Sequence, residues 1–201
     1  AMKDKTKAMS PAYVLDRREA VGAIIGAHED FLIVTGLAGT SKDLAALTSD
    51  GHHVFTMAGV MGGAVSMGLG LALAQPDRKV LVVTGDGELL MNVGCLATVA
   101  VMNPPNLSIL CVDNGHYGET GYQKSHTSLG VDLEQMAAGA GIVTTRTVQA
   151  EDELDDGARV LREGNGSSFV LMRVAPTDST PFKRNMNAAE CRVRFLENLG
   201  V

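Results

Sequence analysis

Lys79-Val80-Leu81-Val82-Val83-Thr84-Gly85-Asp86-Gly87-Glu88 is the stretch whose reading decides the fold. An apolar run with no polar face, ending in Gly-Asp-Gly and turning directly into helical sequence, reads as a buried parallel strand feeding a crossover helix. Working outward, similar runs occupy 31–35, 53–57, 107–112, 142–147 and 168–174. Helical patterns fill 11–28, 41–49, 62–75, 88–102, 132–140, 150–163 and 186–199, the first opening on Ser10-Pro11 as cap and first turn. This alternation predicts an α/β fold: a doubly wound, mostly parallel six-stranded sheet with helices on both faces. Ligands are then expected at the carboxyl ends of the strands. Residues 1–201 read as a single domain, with 1–10 flexible and a C-terminal helix within 182–201 that the 176–181 segment sets off as a docking arm.

Composition narrows the function. Seventeen Lys and Arg stand against 23 Asp and Glu, a net charge of −6, which argues against nucleic acid or an anionic membrane as partner. No run of about 18 apolar residues is present to span a bilayer, and the opening segment has no apolar signal core. The three cysteines, Cys95, Cys111 and Cys191, are scattered without ligand spacing, so neither zinc nor iron–sulfur is supported and a reducing, cytoplasmic setting is expected.

The Gly-Asp-Gly turn does two jobs. Its glycines allow backbone to approach a phosphate, and the amides of the new helix start favour negative charge. Asp86 beside a phosphate is repulsive unless a cation lies between them, so it predicts a divalent metal such as Mg²⁺. The run 107–112 ends in Asp113-Asn114-Gly115-His116-Tyr117-Gly118, a second oxygen ligand at another strand end. If the two strands are neighbours, about 4.8 Å apart, Asp86 and Asn114 can share one cation, with the His116 carbonyl as a third ligand. The polar, unpatterned segment 119–130 reads as a loop that closes over a ligand.

These residues carry a resemblance. Gly85-Asp86-Gly87, followed 28 residues after Asp86 by Asn114, resembles the thiamine diphosphate and Mg²⁺ motif of thiamine diphosphate-dependent enzymes. Met57-Ala58-Gly59-Val60-Met61-Gly62-Gly63 and the helix after it resemble the segment covering the cofactor's rings. The run 113–121 is most similar to the cofactor-binding β subunit, or C-terminal domain, of sulfopyruvate and phosphonopyruvate decarboxylases. The resemblance implies that Asp86, the Asn114 side chain and the His116 main chain hold Mg²⁺. It implies that Gly85, Gly87, Glu88, Asn114 and Tyr117 bind the cofactor, with Gly39, Thr40 and Ser41 on the other side of its diphosphate. Met61 would wedge the thiazolium into its bent form, the Gly59 carbonyl would accept from the aminopyrimidine, and the His116 imidazole is a candidate proton shuttle. A carboxylate at Glu88 would repel the diphosphate, so that side chain is expected to turn away or to serve a neighbouring subunit.

In this family the glutamate that activates the pyrimidine lies on a separate domain, for which the chain has no room. The resemblance therefore implies half of an active site, completed by a pyrimidine-binding, α-type subunit in a hetero-oligomer. The reaction it implies is decarboxylation of a small anionic 2-oxo acid. Two rivals stand beside that reading: an acetolactate-synthase-like carboligase subunit, and a non-catalytic cofactor- or nucleotide-binding module. Against the last, no G-x-G-x-x-G opens the first helix.

Overall fold

The computed structural model describes residues 13–37 and 39–201; Ser10, Pro11 and the stretch 1–10 lie outside the described residues. In chain order the elements are α1 (Arg17–Ile25), β1 (Phe31–Thr35), α2 (Gly39–Leu47), β2 (Val54–Thr56), α3 (Ala64–Ala74) and β3 (Lys79–Gly85). Then follow α4 (Asp86–Leu90), α5 (Cys95–Met102), β4 (Leu107–Asp113), a short hairpin of β5 (His116–Tyr117) and β6 (Gln123–Lys124), and α6 (Leu133–Ala140). The chain finishes with β7 (Thr144–Val148), α7 (Leu154–Glu163), β8 (Ser168–Arg173) and α8 (Ala188–Leu199).

Six strands form one wholly parallel sheet in the order β2-β1-β3-β4-β8-β7. Alternate residues point to opposite faces. Leu32, Val34, Val80, Val82, Ile109 and Phe169 pack with α3, α5, α6 and Phe195 of α8. Phe31, Ile33, Leu81, Val83, Leu110 and Val170 pack with α1, α2 and α7. Every residue of β1 and of β4 is buried, which is why their sequences show no polar alternation.

Three local expectations are corrected. α1 starts after Asp16, whose carboxylate accepts from the Arg18 amide at 2.8 Å; before it the chain is extended, with Leu15 bridging in parallel to Val174. The helix expected over 88–102 is two helices, because Asn92 leaves the ladder and its Nδ2 donates to the Gly62 carbonyl at 3.1 Å. The C-terminal helix is no free arm: α8 folds back on β2, where Phe195 meets Phe55 with ring centroids 5.6 Å apart. No helix among the described residues is long and apolar enough to cross a membrane.

The topology fixes where a ligand goes. From β1 the chain passes through α2 to β2 on one side, then crosses back through α3 to β3 on the other. The loops after β1 and β3 therefore part, opening a crevice at their carboxyl ends.

Candidate functional site

That crevice holds a cavity of about 280 Å³. Of the residues singled out from sequence, Gly39, Thr40, Met61, Gly85, Asp86, Gly87, Glu88, Asn114, His116 and Tyr117 line it. Two do not: Ser41 is buried on α2, and Gly59 is exposed. β3 and β4 are neighbours, with Gly85 in register with Val112, so Asp86 and Asn114 leave adjacent strand ends as the shared-ligand argument requires.

Asp86 is only 3% exposed. Its Oδ2 accepts hydrogen bonds from Ser125 Oγ and, at 3.3 Å, from Thr127 Oγ1. Thr127 also bridges to Asp113, whose Oδ1 lies 2.7 Å away. Asp113 Oδ1 further accepts from the Gly115 amide at 2.9 Å, and its Oδ2 from the Tyr13 hydroxyl at 3.3 Å. Burial raises the Asp86 carboxyl above the ordinary carboxylate range. Burial, and then the charge of Asp86, pushes Asp113 up to about 6. Two carboxylates buried this close repel each other, and a divalent cation on Asp86 would relieve both the desolvation and the repulsion. Asn114 fits the same role: its Oδ1 accepts from the His116 amide at 3.0 Å and keeps a second lone pair. Among the described residues no group of three or more His, Cys, Asp or Glu is placed to hold a metal. The donors here are one carboxylate, one amide oxygen and backbone, a set suited to a hard, oxygen-seeking cation.

Glu88 lines the cavity and is buried, 4% exposed. Its carboxylate reaches back to the Gly85 amide at 3.5 Å and lies against Gly36, where a Cβ would overlap it. A side chain at Gly36 would thus block the place Glu88 occupies under the β1–β3 crevice. Burial pushes Glu88 up to about 7. The native state then holds this proton more tightly than the unfolded chain, so stability is lost as pH rises from the ordinary value of 4.5 through about 7. Glu88→Gln is expected to flatten that slope and to raise stability above pH 7 by about 1–3 kcal/mol. Chemical denaturation between pH 5 and 8 checks it; equal slopes in both proteins would contradict it.

Tyr117 closes the turn from above, its ring so near Gly87 that a Cβ there would overlap it. The His116 ring is folded back, Nδ1 lying 2.9 Å from the Asn114 carbonyl, which leaves Nε2 for a ligand. Met61 reaches the cavity from a turn in which Ala58 adopts φ +53°, an unfavourable conformation for a residue with a Cβ. The 119–130 segment is partly ordered by β6, and Glu119, Thr120 and Tyr122 line the cavity. Lys42 on α2 pairs with Glu119 at 2.9 Å, and Tyr122 donates to Asp178 at 3.1 Å. Beneath it the buried pair Arg17–Asp43, at 2.8 Å, ties α1 to α2, and Asp43 Oδ1 accepts from the Thr180 amide at 2.7 Å. Sequence reasoning missed Arg17, Asp113, Ser125 and Thr127 as parts of the site. Only Asp113 had a local signal, its place at the end of an apolar strand beside Asn114.

Known proteins resemble the chain in sequence and in fold. The family "Thiamine pyrophosphate enzyme, C-terminal TPP binding domain" matches residues 38–172. The sulfopyruvate decarboxylase subunit beta of Methanocaldococcus jannaschii is 44% identical over 169 residues, covering 84% of this chain and 88% of the relative. A phosphonopyruvate decarboxylase of Streptomyces hygroscopicus is 45% identical over 147 residues, 72% of this chain but 35% of that one. Among solved structures, a 2-oxoglutarate:ferredoxin oxidoreductase from Magnetococcus marinus superposes with TM-score 0.61 at 17% identity, covering 90% of this chain and 65% of that one, a likeness of fold. With the matched segment running from just before α2 into β8 and containing Asp86, Asn114 and most of the residues that line the cavity, the chain belongs to the thiamine pyrophosphate enzymes and carries their C-terminal TPP-binding domain.

Proposed function

We propose that the chain is the thiamine diphosphate- and Mg²⁺-binding subunit of a 2-oxo acid decarboxylase acting on a sulfopyruvate- or phosphonopyruvate-like substrate. The observation that carries this is the buried Asp86 carboxylate beside Asn114 at adjoining strand ends, above a glycine turn. Asp86, Asn114 Oδ1 and the His116 carbonyl would hold the metal. Backbone at Gly85, Gly87 and Glu88, with Gly39 and Thr40 opposite and Tyr117 above, would cradle the diphosphate. Ser41, buried behind Thr40, would support that wall rather than touch it. Met61 would sit under the thiazolium, and the carbonyl of Gly59, an exposed residue, would accept from the aminopyrimidine. Bound cofactor would supply an electron sink for the pair released with CO₂. The chain's own work is to orient that cofactor, to exclude water with the 119–130 segment and to offer His116 Nε2 for proton transfer near the substrate.

The only glutamates lining the cavity among the described residues are Glu88, folded against Gly36, and Glu119, paired with Lys42. Glu88 is buried at the turn itself and Glu119 is held in an ion pair. This supports a separate pyrimidine-binding subunit that brings the activating glutamate, as does a relative named as a subunit beta. The three cysteines are all buried and free, which supports a cytoplasmic setting. The test combines the chain with a pyrimidine-binding polypeptide encoded beside it, thiamine diphosphate and Mg²⁺, and assays CO₂ release from a panel of 2-oxo acids. Release from 3-sulfopyruvate or phosphonopyruvate in preference to pyruvate is expected. Tight cofactor binding with no turnover of any 2-oxo acid would favour the non-catalytic module instead.

A further inference from the structure

A second recess, of about 610 Å³, opens beside the cofactor cavity and shares Leu37, Lys42, Glu119 and Ser179 with it. Its outer wall is the 180–186 segment, which turns Arg184 inward. Arg184 is 7% exposed, and its Nη1 is buried without a hydrogen-bond partner among the described residues. A guanidinium placed so is costly unless something anionic completes it.

Of the carboxylates whose charge reaches Arg184, two are already committed. Glu119 pairs with Lys42 at 2.9 Å. Asp50 accepts from the Asn185 amide at 3.2 Å and lies 3.6 Å from Arg194. Glu88 lies against Gly85 and Gly36, with Oε1 buried and lacking a hydrogen-bond partner among the described residues. The recess itself is lined by three cations, Lys42, Lys183 and Arg184, against the single carboxylate of Glu119, with Leu37 and Phe182 supplying an apolar floor. Surplus positive charge, a planar fork with a free donor and a short apolar stretch toward the cofactor cavity match a small molecule whose tetrahedral oxyanion is one methylene from the reacting carbon.

We propose that Arg184, assisted by Lys42, binds the sulfonate or phosphonate group of the substrate, so that this recess selects a 2-oxo acid bearing a second anion. The proposal rests on the reading given under Proposed function and adds to it the residue that chooses the substrate. The same chemistry would also accept free inorganic sulfate or phosphate, which the test separates.

The full chain, with partner, thiamine diphosphate and Mg²⁺, is titrated with 3-sulfopropanoate, propanoate and inorganic sulfate. These probes lack the keto group, so binding is read without turnover. 3-Sulfopropanoate is expected to bind about 10- to 100-fold more tightly than propanoate and than sulfate. Arg184→Gln should remove most of that preference, and Arg184→Lys should restore part of it. Melting curves and thiamine diphosphate affinity, measured on both variants, confirm that fold and cofactor site are intact. An undiminished preference in Arg184→Gln overturns the assignment. Sulfate binding as tightly as 3-sulfopropanoate overturns the substrate role and leaves an inorganic oxyanion site. Absence of cofactor binding by the unaltered chain would instead defeat the cofactor reading, and the two failures are distinguishable because sulfate titration needs no cofactor.

Discussion

Asp86→Asn is expected to abolish Mg²⁺-dependent binding of thiamine diphosphate while leaving the apo fold as stable as before or more so. The two effects have one cause. Asp86 is buried, its carboxyl raised by burial, and it shares Thr127 with Asp113, itself pushed up to about 6 partly by the charge of Asp86. An asparagine keeps an oxygen to accept from Ser125 and Thr127 but removes the charge that a hard cation requires. Loss of a residue that only orients a metal ligand typically weakens metal affinity 10- to 100-fold, and loss of the charged ligand should exceed that, about 1000-fold. Removing one of two repelling carboxylates lowers the cost of burying the other, so the melting temperature of the apo protein should hold or rise. Calorimetric titration and thermal melts on the same samples check both halves. A variant that still binds with Mg²⁺ dependence would show that the cation sits elsewhere.

Arg17→Ala is expected to cost about 3–5 kcal/mol, among the largest losses a single substitution should produce in this chain. Arg17 and Asp43 have side chains 5% and 2% exposed, joined Nε to Oδ2 at 2.8 Å. Removing the arginine leaves Asp43 buried and unpaired, and the Thr180 amide then hydrogen-bonds to an uncompensated charge. For a chain of this length the melting temperature should fall by about 10 °C. Arg17→Ala with Asp43→Asn should recover part of the loss, because the buried charge is gone. Arg17 also lies directly beneath Gly39, at the wall of the cavity, so the single variant should loosen the loop after β1 as well. A fall of less than about 1 kcal/mol in urea denaturation would mean that water reaches Asp43 and that the pair does not brace this wall.

The parts of the site legible in the sequence are those written locally. Gly85-Asp86-Gly87 and Asn114 sit where apolar strands stop, so their place at carboxyl ends follows from pattern, and β3 and β4 prove to be neighbours. Ser125 and Thr127 had no such signal: they meet Asp86 across 39 and 41 residues only because the hairpin of β5 and β6 turns the chain back. Arg17 was read as part of an amphipathic helix, yet its charge is buried on Asp43, 26 residues away. Arg184 lay in what looked like a connection to an outlying helix, and became part of a wall because α8 packs on β2. The misplaced start of α1 has the same origin. Ser10-Pro11 is the cap that the local pattern offers, but the parallel bridge from Leu15 to Val174 keeps that residue pair extended and Asp16 caps α1 instead.

The crevice between β1 and β3 is proposed to hold thiamine diphosphate through a cation on Asp86 and Asn114. The most direct measurement is calorimetric titration of thiamine diphosphate into the full chain, in Mg²⁺ and in chelator, alone and with the pyrimidine-binding partner. Binding that requires Mg²⁺ and tightens when the partner is present is the predicted result; equal binding in chelator, or none under any of these conditions, would contradict it.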